Sequence, residues 1–255
     1  MICFVVAATV TIFGSGTGLG PPAVSLAGSP REGRAIALGG AVLTVEIDTD
    51  AVEQRLRSGG LACPKCASVL AGWGRARART VRGPEGPVRL VPRRSRCTGC
   101  RATHVLLPVL VLLRRADVVA VIGAALVAKQ AGHGHRRIAA LLGRSPETVR
   151  GWLRRFAARL EGVRVVFTRW CRALGPDPVL PDPAGSAWAD ALAALIAAAQ
   201  VLTTRFGIDG DVGRDVAEVP VWQVATAVSD GRLLSPGWPA LINQGGSTPL
   251  APASG

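Results

Sequence analysis

Histidine is scarce in this sequence, and carboxylates are nearly absent from its middle. The three histidines, His104, His133 and His135, lie in or beside a strongly basic stretch, and no nucleophile–base pair stands out around them. The residues after position 185 contain no convincing series of strands and no set of acids placed in a core. A nuclease that works with two metal ions needs several carboxylates inside an α/β domain, so we expect a protein that is not an enzyme.

Long hydrophobic runs are also few. Residues 1–13 are apolar but too few to span a bilayer, and a stretch rich in Gly, Pro and Ser follows them. Three interpretations of residues 1–40 stay open: a disordered or buried extension, a start codon assigned too early, or a signal or anchor without the usual basic start. A second apolar run at 105–113 leads into an apolar helix, but three charges in the middle argue against a membrane span. We expect no membrane partner.

Positive charge is concentrated in one part of the chain. Residues 54–172 hold 25 of the 30 basic residues and four of the 17 acidic ones, within a net charge of +13. A basic middle between mildly acidic ends indicates a polyanionic partner for the middle alone. Lys65 and Lys129 are the two lysines, and the other cations are arginines. Arginine suits phosphate and guanine, but its abundance is also expected of a GC-rich genome.

Residues 134–160 predict two helices joined by a tight turn. Gly143 stands where the first helix needs a left-handed residue at its C-terminal end. Ser145 is a suitable N-cap for the second helix, Pro146 fits its first position, and Glu147 complements the positive end of its dipole. A preceding helix at 117–130, capped by its first residue, would complete a three-helix unit.

The apolar residues of this stretch have the spacing of a bacterial helix-turn-helix. The residues expected to pack between its helices are Ile138, Ala139, Leu141, Leu142, Val149 and Trp152. The alternative is an ordinary pair of helices in a helical core. In a helix-turn-helix the second helix presents polar and basic side chains to base edges and phosphates of double-stranded DNA. The residues expected to contact DNA are Arg136, Arg137, Arg144, Ser145, Glu147, Thr148, Arg150, Gly151, Arg154 and Arg155.

Four cysteines form two C-x-x-C pairs separated by a long loop: Cys63 with Cys66, and Cys97 with Cys100. Two such turns complete a tetrahedral site of four thiolates, so we expect Zn²⁺ in a zinc ribbon. Two disulfides or a redox pair are the alternatives. His104 could replace a ligand, but four cysteines already fill the site, and a surface or core histidine is the simpler interpretation.

The loop between the cysteine pairs predicts a β-hairpin, with segments near 69–73, 78–81 and 88–92 and a turn at 83–86. Arg75, Arg77 and Arg79 alternate with alanine, so on a strand they would line one face. Solvation of a small ribbon would explain the arginines of this region equally well. We favour non-specific phosphate contacts beside Trp73, made by Arg75, Arg77, Arg79, Arg93, Arg94 and Arg96.

A short strand at 41–45 and a helix at 51–57 precede the first cysteine pair. Asp50 is expected to cap this helix. Four acids cluster here, namely Glu46, Asp48, Asp50 and Glu53. A solvated surface and a helix cap account for them as well as a metal or catalytic cluster would.

The order of these features carries a family resemblance. It comprises the C-P-x-C and C-x-x-C pairs, Arg-Ala-Thr-His-Val-Leu-Leu-Pro at 101–108, a helix, and Ile-Ala-Ala-Leu-Leu-Gly-Arg-Ser-Pro-Glu-Thr-Val-Arg-Gly-Trp-Leu at 138–153. This order resembles an uncharacterised family of bacterial zinc-ribbon plus helix-turn-helix proteins. It is similar to the DNA-binding N-terminal parts of insertion-sequence transposases. The resemblance covers about residues 45–175, and it implies zinc at the four cysteines and DNA at the second helix.

Apolar residues continue beyond the turn with the spacing of a heptad seam, from Val149 to Leu174. The second helix is therefore expected to extend to about Leu174, with a bend near Gly162. The seam supports either a homodimer with two recognition helices or internal packing against a helix at 186–206, and we favour internal packing. The stripe expected on that later helix comprises Trp188, Leu192, Leu195, Ile196 and Ala199.

We therefore expect an α+β, mostly helical protein. Its expected parts are an extension at 1–40, a zinc ribbon at 41–108, a helix-turn-helix domain at 109–175, a Pro-rich linker at 176–185, a helical segment at 186–234 and a disordered tail at 235–255. The expected function is non-catalytic DNA binding in the cytoplasm, at the nucleoid, as a transcriptional regulator or an accessory factor of a mobile element. The alternative is a partial or degenerate transposase, for which Asp209, Asp211 and Asp215 are the residues to test.

Overall fold

The computed structural model describes residues 41–174, 180–206 and 220–239. The predictions for 1–40, for residues 176–179 of the linker, for the loop that holds Asp209, and for the end of the tail lie outside the described residues. The helices and strands are β1 (Ala41–Val45), α1 (Thr49–Arg57), β2 (Leu70–Arg75), β3 (Arg79–Arg82), β4 (Pro87–Leu90), β5 (Arg93–Cys97), β6 (Thr103–Pro108), α2 (Val119–Gln130), α3 (His135–Leu142), α4 (Pro146–Ala157), α5 (Leu160–Leu174), α6 (Ala187–Phe206) and α7 (Val221–Val228). A small sheet followed by helices confirms the expected fold class.

The sheet has the strand order β1-β6-β5-β2. β6 pairs with β1 in parallel and with β5 antiparallel, and β5 pairs antiparallel with β2. We call β1, α1, β2, β5 and β6 the sheet unit. Its small core contains Leu43, Leu56, Leu70 and Leu106 together with the buried cysteine Cys97. Because this core is small, it needs help from another source of stability.

The cap of α1 differs from the prediction. Asp48, not Asp50, is the N-cap, and its carboxylate accepts a hydrogen bond from the Asp50 amide at 2.9 Å. Two of the nearby acids form ion pairs within the sheet unit, Glu46 with Arg55 and Glu53 with Arg93. These two ion pairs hold α1 and the strands together, and they were not predicted from the sequence.

β3 and β4 form a separate two-stranded hairpin, which we call the loop hairpin (79–90). It lies between the two cysteine pairs in sequence, yet Val81 and Leu90 are buried in the same core as the helices. The β-structure is interrupted between Arg75, the last residue of β2, and Arg79, the first residue of β3. Arg75, Arg77 and Arg79 therefore do not line one strand, which corrects that prediction.

The helical unit, α2 to α7, surrounds the larger core. Ile138, Ala139, Val149 and Trp152 are buried as predicted, but Leu141 has 65% of its surface exposed. The buried residues of α3 are Ile138 and Ala139, and the side chain of Leu141 lies outside the core. α2 begins at Val119 and has Val118 as its N-cap, so Asp117 does not cap it. Asp117 is instead buried between two arginines.

The predicted long recognition helix is two helices. α4 ends at Ala157 and α5 begins at Leu160, with the break at Ala158 and Arg159. Neither glycine nor proline causes it, and Gly162 lies inside α5. Arg159 donates a hydrogen bond from Nε to the Ser235 carbonyl at 3.1 Å, and the redirected α5 packs along α6. A tertiary contact has therefore overridden a continuous heptad pattern.

The seam residues are used within a single chain. Phe156, Val163, Phe167 and Leu174 are buried, the last three on the helix that packs along α6. The burial of these residues supports internal packing, whereas Leu160 and Trp170 of the same seam are half-buried, and a homodimer through this seam stays a prediction. On α6 the stripe residues Leu192, Leu195 and Ala199 are buried, whereas Ile196 is 44% exposed.

α6 is the longest helix of the described residues and is largely apolar. Within the described part of the chain, one stretch, residues 187–204, is long and apolar enough to cross a membrane by length and composition. In this structure 44% of the stretch is buried inside the fold. Its Trp188 packs edge-on against the Phe156 ring, 5.0 Å between centroids, and donates a hydrogen bond to the Leu126 carbonyl. These are the contacts of a core helix.

The C-terminal segment completes the helical core. Leu233 and Leu234 are buried, and the Leu234 carbonyl accepts a hydrogen bond from Arg115 at 3.0 Å. Trp238 packs against the same core. The tail predicted to be disordered from residue 235 is thus ordered through residue 239, and residues 240–255 lie outside the described part.

Gly123 of α2 lies under the indole ring of Trp222, and a Cβ at this position would overlap that ring. We expect Gly123→Val to lower the free energy of unfolding by about 1–3 kcal/mol or more, since overpacking forces rings and backbone to move. Denaturant unfolding measures the effect. Ala124→Val, at the next and exposed position of the same helix, is the control and should change stability little; equal losses would show that Trp222 does not pack there.

Candidate metal centre and nucleic-acid interface

Two similar backbone turns present the four cysteines. In the first turn the Cys63 amide donates to the Ser68 carbonyl at 2.8 Å. In the second the Ala102 carbonyl accepts from the Cys97 amide at 2.9 Å. In each turn the residue after the second cysteine, Ala67 or Arg101, has a left-handed backbone, with φ of 58° and 62°. The repeated turn directs two thiols from each C-x-x-C pair toward a common centre.

The four Sγ atoms lie within 4.8 Å of one another. Cys63 and Cys100 approach to 3.7 Å between sulfurs, and Cys66 and Cys97 to 3.4 Å. In a tetrahedral site with Zn–S bonds of about 2.3 Å, the sulfurs are about 3.8 Å apart. None of the four forms a disulfide, which argues against the disulfide alternative. The four residues predicted as ligands fit one tetrahedral metal ion.

The thiols differ in how readily they ionise. Burial raises the pKa of the Cys63 thiol to about 11. At the exposed Cys66, hydrogen bonds from the Ser68 side chain and backbone lower the pKa to about 6. The low pKa favours the thiolate form of Cys66, whereas the charge of a neighbouring cation would favour the thiolate form of Cys63.

His104 on β6 is buried, and its Nε2 lies 3.5 Å from the Cys63 sulfur. Burial and the charge of Lys65 lower the pKa of the imidazole, which favours its neutral form. With the proton on Nε2, the ring can donate to the thiolate from outside the coordination sphere. The core interpretation of His104 is confirmed. The contact between His104 and Cys63 was not predicted from the sequence. The sequence feature that could have indicated it is the position of His104 close after Cys100, which places the imidazole near the cysteine cluster.

The helix-turn-helix follows the predicted local chemistry closely. Gly143 ends α3 with a left-handed φ of 60°, and Ser145 caps α4 by accepting a hydrogen bond from the Thr148 amide. Pro146 occupies the first position of α4. The buried face of α4 carries Val149, Trp152, Leu153 and Phe156. A helix buried on one side leaves its opposite face available to a partner.

The available face of α4 carries Glu147, Arg150 and Arg154, all exposed and spaced by three and four residues. Thr148, Gly151 and Arg155 are half-buried. The Arg155 guanidinium donates to the Gly151 carbonyl at 2.9 Å, and the Thr148 and Ser145 hydroxyls lie 2.9 Å apart. Of the residues predicted to contact DNA, those exposed are Arg136, Arg137, Ser145, Glu147, Arg150 and Arg154.

Arg144, which the sequence predicts to contact DNA, forms hydrogen bonds within the protein. Its Nε lies 2.6 Å from a carboxylate oxygen of Asp117, and its side chain is 12% exposed. The same guanidinium donates to the carbonyls of Leu142, Gly143 and Gly83. With its donors directed at these oxygens, Arg144 fixes the turn before α4.

Of the arginines predicted to contact phosphates, some are exposed and others are half-buried or bonded within the protein. Arg75 and Arg77 are exposed, while Arg79 and Arg94 are half-buried. Arg93 pairs with Glu53 and donates to the Gly74 carbonyl, and these bonds hold its side chain against the sheet unit. The guanidinium of Arg96 lies over the exposed Trp73 ring, 4.6 Å from its centroid, a cation–π contact.

Comparison with known proteins agrees with the helical part of this site. The family model of the homeodomain-like domain matches residues 114–164, which span α2, α3, α4 and the start of α5. This segment is therefore similar to homeodomain-like domains. No curated protein and no solved structure was found to match the chain. The match to the family model covers residues 114–164 and does not include the sheet unit.

Proposed function

We propose that this protein binds double-stranded DNA by placing α4 in the major groove, with zinc bound at the four cysteines. We further propose that it is non-catalytic, acts in the cytoplasm at the nucleoid, and serves as a transcriptional regulator or as an accessory factor of a mobile element. The observation that carries the proposal is the exposed face of α4, with Arg150 and Arg154 beyond a well-formed N-cap, inside a homeodomain-like segment.

The charge of this face supports a nucleic-acid partner. Arg136 and Arg137 extend it from α3, and the one exposed acid on α4 is Glu147. Residues at the N-terminal half of a recognition helix reach base edges, while arginines nearby contact phosphates. Glutamate can accept a hydrogen bond from the amino group of cytosine, so Glu147 is compatible with base recognition.

The chemistry of the donor set supports zinc. Four thiolates in a tetrahedron are the ligands of structural zinc and of iron–sulfur sites. A closed site with four protein ligands leaves no position for a substrate. Among the described residues, these four cysteines are the group of metal-ligating side chains that the structure brings together. This arrangement supports a structural rather than a catalytic metal.

The proposal is tested by selecting bound duplexes from a random DNA pool with the full-length, zinc-loaded protein. Enrichment of a defined motif would support a sequence-specific binder. Salt-sensitive binding without enrichment would retain DNA binding but remove base recognition by α4. Absence of binding at low salt would refute the proposal. Nicking of the selected duplex in Mg²⁺ would contradict the non-catalytic assignment.

Arg150→Ala should relax the preference at one base pair of the selected motif, by about 1–3 kcal/mol if Arg150 binds guanine. The measurement is the affinity for the motif and for its single-base variants. Arg172→Ala, an exposed arginine of α5, is the matched control and should leave the preference unchanged. A uniform loss of affinity over all variants would instead make Arg150 a phosphate contact.

A further inference from the structure

We propose that the loop hairpin is a second DNA-contacting element, which lies along the phosphate backbone beside the base pairs contacted by α4. This inference rests on the proposed function. The hairpin is an insertion between the two cysteine pairs, and a four-cysteine metal site does not require it. Its packing on the helical unit places it beside the N-terminus of α4.

The hairpin has one buried and one exposed face. Val81 and Leu90 are 1% and 8% exposed and belong to the core of the helical unit. On the opposite face Thr80 pairs with Arg89, and Arg82 pairs with Pro87. All four of these residues are exposed. The hairpin is therefore attached to the helix-turn-helix and turns a polar, basic face to solvent.

Hydrogen bonds hold the hairpin beside the N-terminus of α4. The carboxylate of Asp117 binds Arg82 of the hairpin at 2.7 Å and Arg144 at 2.6 Å. The Arg144 guanidinium also donates to the Gly83 carbonyl at 3.0 Å. Because Arg144 directly precedes the N-cap Ser145, the turn of the hairpin lies one side chain away from the start of α4. We call these contacts the Asp117 bridge.

Backbone bonds reinforce the same attachment. The Arg82 amide donates to the Ala116 carbonyl at 2.7 Å, and the Val118 amide donates to the Arg82 carbonyl at 3.1 Å. The hairpin and the segment that leads into α2 thus pair like two strands. Such pairing gives the hairpin a fixed orientation relative to α4, which a surface loop would not have.

The charges of the hairpin favour phosphate. Arg89 is exposed on the outer face, and Arg77 is exposed just before the first strand. The one acid, Glu85, lies at the tip, where it would oppose insertion of the tip into a groove. We therefore infer contact along the strand face. A four-residue strand is about 13 Å long, so it extends the contacted DNA by about four base pairs on one side.

The test uses the motif selected with the full-length protein, in a duplex with long flanks and in duplexes trimmed on either side. Wild-type protein should lose affinity when one flank is trimmed and not when the other is. The Arg77→Ala/Arg89→Ala variant should bind the long duplex more weakly and should be insensitive to that trimming. Its slope of log K against log salt should be smaller by about 0.9 for each phosphate contact removed.

The motif preference of this variant should be unchanged, because α4 is intact. Arg172→Ala is the control and should behave like wild type on every duplex. If the double variant shows the wild-type salt slope and trimming effect, the hairpin does not contact DNA, although the proposed function stands. If wild-type protein binds no duplex at low salt, the proposed function fails and this inference fails with it.

Discussion

Removal of the metal ion is expected to unfold the sheet unit while the helical unit keeps its structure. The sheet core is small, and the buried cysteines Cys63 and Cys97 form part of it. Zinc bound by four thiolates contributes about 10–16 kcal/mol in zinc-finger peptides, more than the whole stability of most domains. Hydrogen exchange after chelation, or in Cys97→Ser, should show loss of protection in β2, β5 and β6.

The loop hairpin is expected to keep its structure when the sheet unit unfolds. It lies between the two cysteine pairs in sequence, but its buried side chains belong to the helical core. Residues 79–90 should therefore keep their protection when the metal is removed. Simultaneous loss across the hairpin and α2 to α4 would show that the two cores unfold as one. Because coordination needs thiolates, the metal should bind less tightly as pH falls.

Metal analysis of the purified protein identifies the ion. One zinc per chain is expected, and iron with visible absorption would contradict zinc. Cys171→Ala is the matched control, since Cys171 is a buried free thiol of α5 away from the cluster. This variant should keep the full metal content even if the loss of a buried side chain lowers its stability. Unchanged melting of Cys97→Ser would refute a structural metal.

Asp117→Ala is expected to lower the free energy of unfolding by about 3–5 kcal/mol, the cost of removing one partner from a buried ion pair. Asp117 is 2% exposed and Arg144 12%, so the variant leaves a buried guanidinium without its counter-ion. Arg82 is 49% exposed and contributes less, because water screens its charge. Denaturant unfolding with metal present measures the loss.

Two further variants test the reason for this loss. Asp117→Ala/Arg144→Met should be more stable than Asp117→Ala alone, because the unpaired charge is gone. Glu161→Ala removes an ion pair with Arg164 in which both side chains are well exposed, and it should change stability by less than about 1 kcal/mol. Equal losses for Glu161→Ala and Asp117→Ala would contradict a buried bridge.

The Asp117 variant also bears on DNA binding. Asp117→Ala removes the carboxylate that links Arg82 of the loop hairpin to Arg144, while the bond from Arg144 to the Gly83 carbonyl and the exposed face of α4 remain. If the hairpin contacts DNA, Asp117→Ala should weaken binding to the long-flanked duplex more than to the trimmed one, at a temperature where the variant remains folded. Equal weakening on both duplexes would assign the bridge a role in stability alone.

Local chemistry was readable from the sequence, because it depends on neighbouring residues. Gly143, Ser145 and Pro146 determine how α3 ends and α4 begins, and the structure has these caps as predicted. The C-x-x-C spacing likewise brings two thiols to each turn, and four sulfurs meet. The buried residues of α4 follow from helical periodicity. In each case the cause lies within about four residues of the effect.

Tertiary structure decided what depends on distant partners. The heptad pattern from Val149 to Leu174 is continuous, yet the helix breaks at Ala158, where Arg159 bonds to the chain near Ser235. Asp117 had the position of a helix cap and became a buried counter-ion, because Arg82 and Arg144 meet beside it. The loop hairpin joins the helical core because Val81 and Leu90 find apolar surface there. Local pattern sets the elements and their faces, whereas long-range packing and charge pairing decide which arginines remain exposed.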